Sequence, residues 1–198
     1  MEHTLHLRPI RAMFTAYLLA ALAFLVALTS QPAQANTPAP DQSTSNYEVH
    51  FMQEMIEHHM MALHMANMCL AKAVHQELRA MCQDMITEQQ QEISMMQQWL
   101  SAWYGTPNYQ PMMNPGMHNH MEKLAMLNNA EFEIEFMQEM IRHHRMAIVK
   151  ASQCVDRAYH PELQDMCADI ITSQLSEIRQ MQEWLCTWYG MCRPRYRS

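Results

Sequence analysis

The sequence predicts an all-α protein, a four-helix bundle assembled from two tandem αα-hairpins. Three observations carry that expectation. The 198 residues include only 3 Gly, and neither Gly nor Pro occurs between Glu48 and Tyr104, so helix breakers are missing over a long stretch. Residues 51–105 recur 85 positions later with 31 identities in 55 positions and no gap, which makes the chain a tandem duplication of one supersecondary unit. Within the unit, Leu78, Met81, Met85, Ile86, Ile93, Met96, Leu100 and Trp103 fall at helical spacing. One hairpin cannot bury such a stripe, and two packed together can.

Residues 1–35 stand outside the fold. Arg8 and Arg11 precede an apolar run over 13–28, and Ala33-Gln34-Ala35 follows. A basic start, an apolar stretch of that length and an A-x-A site describe a secretory signal peptide cleaved after Ala35. An uncleaved anchor is the alternative reading. The mature chain would have 163 residues, 21 Met, 10 His, all 6 Cys and a net charge of −8. An exported, periplasmic protein is the expectation, with no stable membrane insertion after cleavage.

Unit one covers 36–105. Its first helix is expected from about residue 45, where Ser45-x-x-Glu48 reads as a capping box, to about residue 73. Its second is expected from about 76 to 103, stopped by Gly105. The stretch 106–130, with Pro107, Pro111, Pro115 and Gly116, reads as a Met- and His-rich linker. Unit two covers 131–198. Its second helix begins at Pro161, which suits a first helical turn, and ends at Gly190. Cys69 and Cys82 flank the first hairpin turn, and Cys154 and Cys167 flank the second. In an exported chain these are expected to be disulfides, with thiol metal sites as the alternative; Cys186 and Cys192 could form a third bridge. His75 and His160 stand at the hairpin turns and suit a capping or surface role.

Composition excludes several functions. No stretch concentrates the glycines a phosphate-cradling loop needs, and the acidic balance argues against a nucleic-acid partner. What remains to be explained is the methionine, 23 residues in all. Thioethers at helical spacing are usually packing, so the helical wheel is the test. Met52, Met55, Ile56, His59, Leu63 and Ala66 share one face of the first helix, and packing suffices for Met52 and Met55. Met61, His64, Met65 and Met68 fall mostly opposite, with His58 toward the edge. Thioether and imidazole together select Cu(I), with Ag(I) as a surrogate, and imidazole also takes Cu(II). Residues three or four apart on a helix can share one ion. The linker offers the same donors in Met112, Met113, Met117, His118, His120 and Met121.

Unit two keeps Met137, Met140, His143, His144 and Met146, but carries Arg145, Val149, Lys150 and Gln153 where unit one has Met60, His64, Met65 and Met68. The candidate metal donors are therefore Met55, His58, His59, Met61, His64, Met65, Met68, the six linker residues, Met140, His143, His144 and Met146, with more metal expected in the first half. Gln89, Glu92, Gln174 and Glu177 lie within the inner stripes of the second helices. Buried carboxylates need partners, and the inward His59 and His144 are the expected ones. A di-iron centre would need Glu-x-x-His on two helices; the spacing here is Glu54-x-x-x-His58 and Glu139-x-x-x-His143.

The pattern F-M-x-E-M-I-x-H-H-x-M-A, followed by a helix ending W-L-x-x-W-Y-G, resembles an exported bacterial ferritin-like family long labelled only as a domain of unknown function. The resemblance covers both units, and the tandem Met- and His-rich form is similar to periplasmic copper-binding resistance proteins. It implies copper binding and protection against excess copper. The expected function is a non-enzymatic binder that sequesters copper and passes it to an exporter or its sensor. The alternatives are a partner-binding module that uses methionines as an adaptable surface, and a copper redox enzyme.

Overall fold

A computed structural model describes residues 37–106, 109–111 and 115–192, with the backbone alone over 115–120. The expected signal peptide lies outside the described residues. Five helices and no strands occur among those described: α1 Gln42–Lys72, α2 Gln76–Tyr104, α3 Pro115–Met126, α4 Asn129–Arg157 and α5 Pro161–Tyr189. None is long and apolar enough to cross a membrane. α1 packs on α2, α4 packs on α5, and α1 meets α4 along the seam that joins the two hairpins.

Local chemistry sets the helix ends. α1 starts earlier than the capping box suggested, because the Asp41 side chain accepts from the Thr44 amide at 2.9 Å and serves as the N-cap. α2 and α5 stop at Gly105 and Gly190, both left-handed with φ of 60° and 69°. The Gly105 and Thr106 amides return to the Ser101 and Leu100 carbonyls, and unit two repeats the arrangement. The 106–130 segment is not wholly a linker. Part of it forms α3, held because Leu124 is buried in the core and Lys72 reaches the Ala125 and Leu127 carbonyls at the helix end. Cys69–Cys82, Cys154–Cys167 and Cys186–Cys192 are all bridged, and the first two staple the hairpin tips.

The buried apolar side chains form two clusters rather than one. One joins the C-terminal half of α1 and the N-terminal half of α2 to the start of α4 and the end of α5, around Met65, Leu78, Phe132, Phe136 and Met181. The other joins the opposite halves, around Met52, Ile56, Leu100, Leu163 and Ile170. Between them lies a polar layer built from all four long helices.

Two reciprocal latches lock the hairpins together. Glu48 of α1 is fully buried and accepts from the Tyr159 and His160 amides at 2.6 and 2.9 Å, from His160 Nδ1 at 2.6 Å, and from the Tyr104 hydroxyl. Its repeat mate Glu133 does the same for the Val74 and His75 amides, His75 Nδ1 and the Tyr189 hydroxyl. Each carboxylate thus holds the turn of the other hairpin. His160 stacks on Trp103 with centroids 3.7 Å apart, and His75 stacks on Trp188 at 3.8 Å. Neither turn histidine caps its helix with its side chain, and His160 is buried, so the expected capping or surface role gives way to an interlocking one. Burial pushes the Glu133 carboxyl up, but the bonds from Tyr189, His75 and Val74 outweigh it and hold the group below the usual carboxylate range.

Removing one latch strands several buried donors, each costing on the order of 1–3 kcal/mol. Glu48→Ala should therefore lower stability by about 3 kcal/mol or more, which calorimetry would read as a fall in Tm of roughly 6–12 °C. Glu133→Ala should cost less, since the His75 side chain is 35% exposed and water can replace part of what is lost.

Candidate metal centre

The polar layer contains His58 and His59 of α1, Gln89 and Glu92 of α2, His143 and His144 of α4, and Gln174 and Glu177 of α5. At its middle the His58 and His143 rings stack, with centroids 3.6 Å apart and 30° between planes. These residues are repeat mates, so the pair marks the pseudo-two-fold axis. His143 Nε2 donates to the His58 carbonyl at 3.1 Å, which leaves His143 Nδ1 as a bare lone pair. His143 Nδ1 and both nitrogens of His58 have no partner among the described residues.

Both rings are neutral. Burial, then the neighbouring His59, Lys150 and His144, brings His58 down to about 3. Burial and the other three imidazoles push His143 well below the ordinary histidine value. A neutral imidazole with an unshared lone pair is the form that ligates metal.

His59 and His144 flank this pair. His59 Nε2 lies 2.6 Å from Glu92 Oε2, and His144 Nε2 lies 2.6 Å from Glu177 Oε2. Both imidazoles thus meet the carboxylates expected for them, His59 in a hydrogen bond and His144 at ion-pair distance.

The α1/α4 register sets two methionines at the level of the centre. Lys150 Nζ bonds Glu54 Oε2 across the seam at 2.7 Å. Antiparallel stepping from that bond, one turn at a time, sets Met146 at the level of His58 and Met61 at the level of His143. Met61 is half-buried and Met146 is exposed. No group of three His, Cys, Asp or Glu side chains suited to an ion occurs among the described residues. The donor set here is instead two imidazoles with thioethers beside them, which suits a soft monovalent ion.

The remaining candidates divide. His64 is exposed and Met68 half-buried, on the outer side of α1 as expected. Met65 is not: it is 5% exposed and belongs to the apolar cluster that includes Phe136 and Met140. His58 is also buried rather than at the rim of an outer face. Both corrections have one cause, since α1 packs on α4 as well as α2 and its buried arc is wider than one stripe. Met55 and Met140 are fully buried in the apolar clusters, where packing accounts for them. Met121 packs half-buried against the core. Met112 and Met113 lie outside the described residues, as do the side chains of Met117, His118 and His120, although α3 carries the last three alongside α1. The stacked pair escaped the wheel, yet its signal was present: a residue on a pseudo-two-fold axis must meet its own repeat mate.

Fold and site together define a helical-bundle protein of two interlocked hairpins, with a buried pair of neutral imidazoles on its axis. A family described as Domain of unknown function (DUF305) matches residues 48–185, and the chain belongs to that family. It is 36% identical to CopM solved in the Cu(I)-bound form, a match covering 72% of this chain and 98% of that one with a TM-score of 0.65. CopM has also been solved in Cu(II)-bound and Ag-bound forms. A DUF305 fragment from Deinococcus radiodurans is 26% identical over 75% of this chain and 97% of its own, with a TM-score of 0.64. No curated protein matches the chain significantly.

The lowered histidines link stability to pH. In the unfolded chain His58 and His143 take protons near pH 6.5, whereas the native rings resist them, so the unfolded state binds more protons below that value. Stability should be fully present above about pH 6.5 and fall with acidification toward pH 4, by up to about 1.4 kcal/mol per unit per histidine. Urea unfolding at a series of pH values reads the slope. In a His58→Gln/His143→Gln variant that slope should flatten.

Proposed function

We propose that the protein is a non-enzymatic copper binder of the bacterial periplasm that sequesters Cu(I), takes Cu(II) through its histidines, and hands copper on to an exporter. The observation that carries this reading is the buried, neutral His58–His143 pair with unshared nitrogen lone pairs and Met61 and Met146 at its level. The copper- and silver-bound forms of CopM support it. The apolar run and A-x-A site at the N-terminus support export.

An ion entering the centre separates the two stacked rings and takes a nitrogen from each helix. Thioethers never protonate and imidazoles this buried stay neutral, so the donors remain competent in mild acid. The partly exposed Met61, His64 and Met68 on α1, with Met146 on α4, form a graded path from solvent. Exposed, weakly held thioether positions favour exchange, which a protein that passes its ion on requires. Unit two has lost most of that path, so loading enters through unit one.

Titration of the metal-free protein with Cu(I) against a competing chelator is the direct test. His58→Gln/His143→Gln should weaken the tightest Cu(I) and Ag(I) sites by tenfold or more. Met61→Leu/Met146→Leu should weaken Cu(I) and Ag(I) while leaving Cu(II) nearly unchanged, because imidazole rather than thioether holds the harder ion. Cu(I) affinity no higher than that of a Met-poor helical bundle would exclude the proposal.

A further inference from the structure

The flanks of the polar layer carry a second set of donors that the copper reading does not use. His59 and His144 are fully buried, and Gln89 and Gln174 are 4% and 3% exposed. His59 Nδ1, both ring nitrogens of His144, Gln89 Oε1 and Gln174 Oε1 all lack a hydrogen-bond partner among the described residues. His59 Nε2 is hydrogen-bonded to the Glu92 carboxylate, which places the proton there and leaves Nδ1 a lone pair. His144 Nε2 lies at ion-pair distance from Glu177, which favours the same tautomer. His59 Nδ1, His144 Nδ1, Gln89 Oε1 and Gln174 Oε1 are then acceptors, one on each long helix, without a hydrogen-bond donor among the described residues. Gln89 precedes Glu92 by one helical turn and Gln174 precedes Glu177 likewise, so in each unit the orphaned amide lies one turn from the carboxylate that meets the imidazole.

Buried acceptors without donors are rare and ask for an explanation. A cation supplies one. The carboxylate on the far nitrogen of each ring is the outer-shell partner that metal-bound histidines commonly have, fixing the tautomer and raising the basicity of the ligating nitrogen.

A groove lies against the carboxylates of the layer. α2 and α5 leave a groove between them, formed of two adjoining cavities of about 610 and 580 Å³ that share Glu88 and Ser173. It is lined by Asp84, Glu88 and Glu92 from α2 and by Asp165, Asp169 and Glu177 from α5, with no Lys or Arg among its described lining residues. Glu92 and Glu177 thus face the groove and hold the buried histidines at once. Burial, followed by the charges of Glu177, Glu92 and Asp84, pushes the Glu88 carboxyl up. A carboxylate-lined cleft raises the local concentration of cations.

We propose that the layer is a binding site for a borderline divalent cation such as Zn(II), held in each unit by the histidine Nδ1 and glutamine Oε1 of the pairs His59/Gln89 and His144/Gln174, and reached through the α2/α5 groove. The site is distinct from the His58–His143 centre and does not depend on the copper reading. Imidazole nitrogen with amide oxygen suits a borderline ion, and the absence of thioether disfavours Cu(I).

The test uses the full chain stripped of metal and titrated with Zn(II) against a chromophoric chelator, with Ag(I) titrated in parallel. Gln89→Leu/Gln174→Leu keeps the side-chain volume and should remain folded. It should weaken Zn(II) at least tenfold and leave Ag(I) unchanged. Glu92→Gln/Glu177→Gln should weaken Zn(II) by about 10–100-fold, the usual cost of losing an outer-shell partner. Folded leucine variants that bind Zn(II) as tightly as wild type, with a raised Tm, would overturn the proposal and assign the layer to water alone. Loss of Ag(I) binding with Zn(II) intact would count against the copper centre and not against this one.

Discussion

The contact between α1 and α4 is the constraint on which the molecule depends. Each hairpin is stapled internally by its own disulfide and its own α1/α2 or α4/α5 packing. What makes one domain of two hairpins is the central seam, closed at its ends by Glu48 and Glu133. Those carboxylates sit in one unit and hold the turn of the other, so neither hairpin is complete alone. The seam also runs along the pseudo-two-fold axis. Any residue placed there is doubled, and when it is histidine the doubling makes a pair. A ligand site thus arises from duplication, without a dedicated motif on either helix.

The symmetry is kept where it holds the fold and lost where it meets solvent. The latches, the stacked Trp–His pairs at 3.7 and 3.8 Å and the His–Glu pairs at 2.6 Å are reproduced in both halves. On the outer side, Met65 and Lys150 occupy equivalent positions with opposite consequences. Lys150 bonds Glu54 across the seam, whereas Met65 is buried in the apolar cluster that includes Phe136 and Met140. Unit two uses that position for an ion pair and unit one for packing, and with Val149 and Gln153 at the positions of His64 and Met68 the open donors lie mostly on α1, Met146 being the one on α4.

Much of this was legible in the residues. The duplication, the helix stops at Gly105 and Gly190, the two hairpin-tip disulfides and the His59–Glu92 and His144–Glu177 pairings all follow from spacing and from the need of buried charge for a partner. What did not follow depends on contacts between units. A helical wheel drawn for one helix assumes one buried face, but α1 has two neighbours, so Met65 and His58 went inside. The start of α1 was misplaced because Glu48, which completes a local capping pattern on paper, is taken by a turn more than a hundred residues away. α3 was hidden because its periodicity is short and its anchor, Lys72, lies on another helix.

Charge explains why two kinds of donor set coexist within one layer. An ion taken from water into a buried site carries its charge with it, and an uncompensated charge there is costly. A monovalent ion on His58, His143 and thioethers adds a single positive charge at a place where every ligand is neutral. A divalent ion on those ligands would add twice that with no carboxylate against it. On the flanks, Glu92 and Glu177 stand between the imidazoles His59 and His144 and the groove, and can offset a divalent charge without touching the ion. Softness of the donors and placement of the carboxylates therefore rank the ions in the same direction: the axis would hold Cu(I) and Ag(I) in preference to Cu(II), and borderline divalent ions would sit beside it. The methionine excess of the sequence accordingly serves apolar packing where it is buried, and on the open side of α1 it leaves neutral thioethers for the proposed soft-ion path.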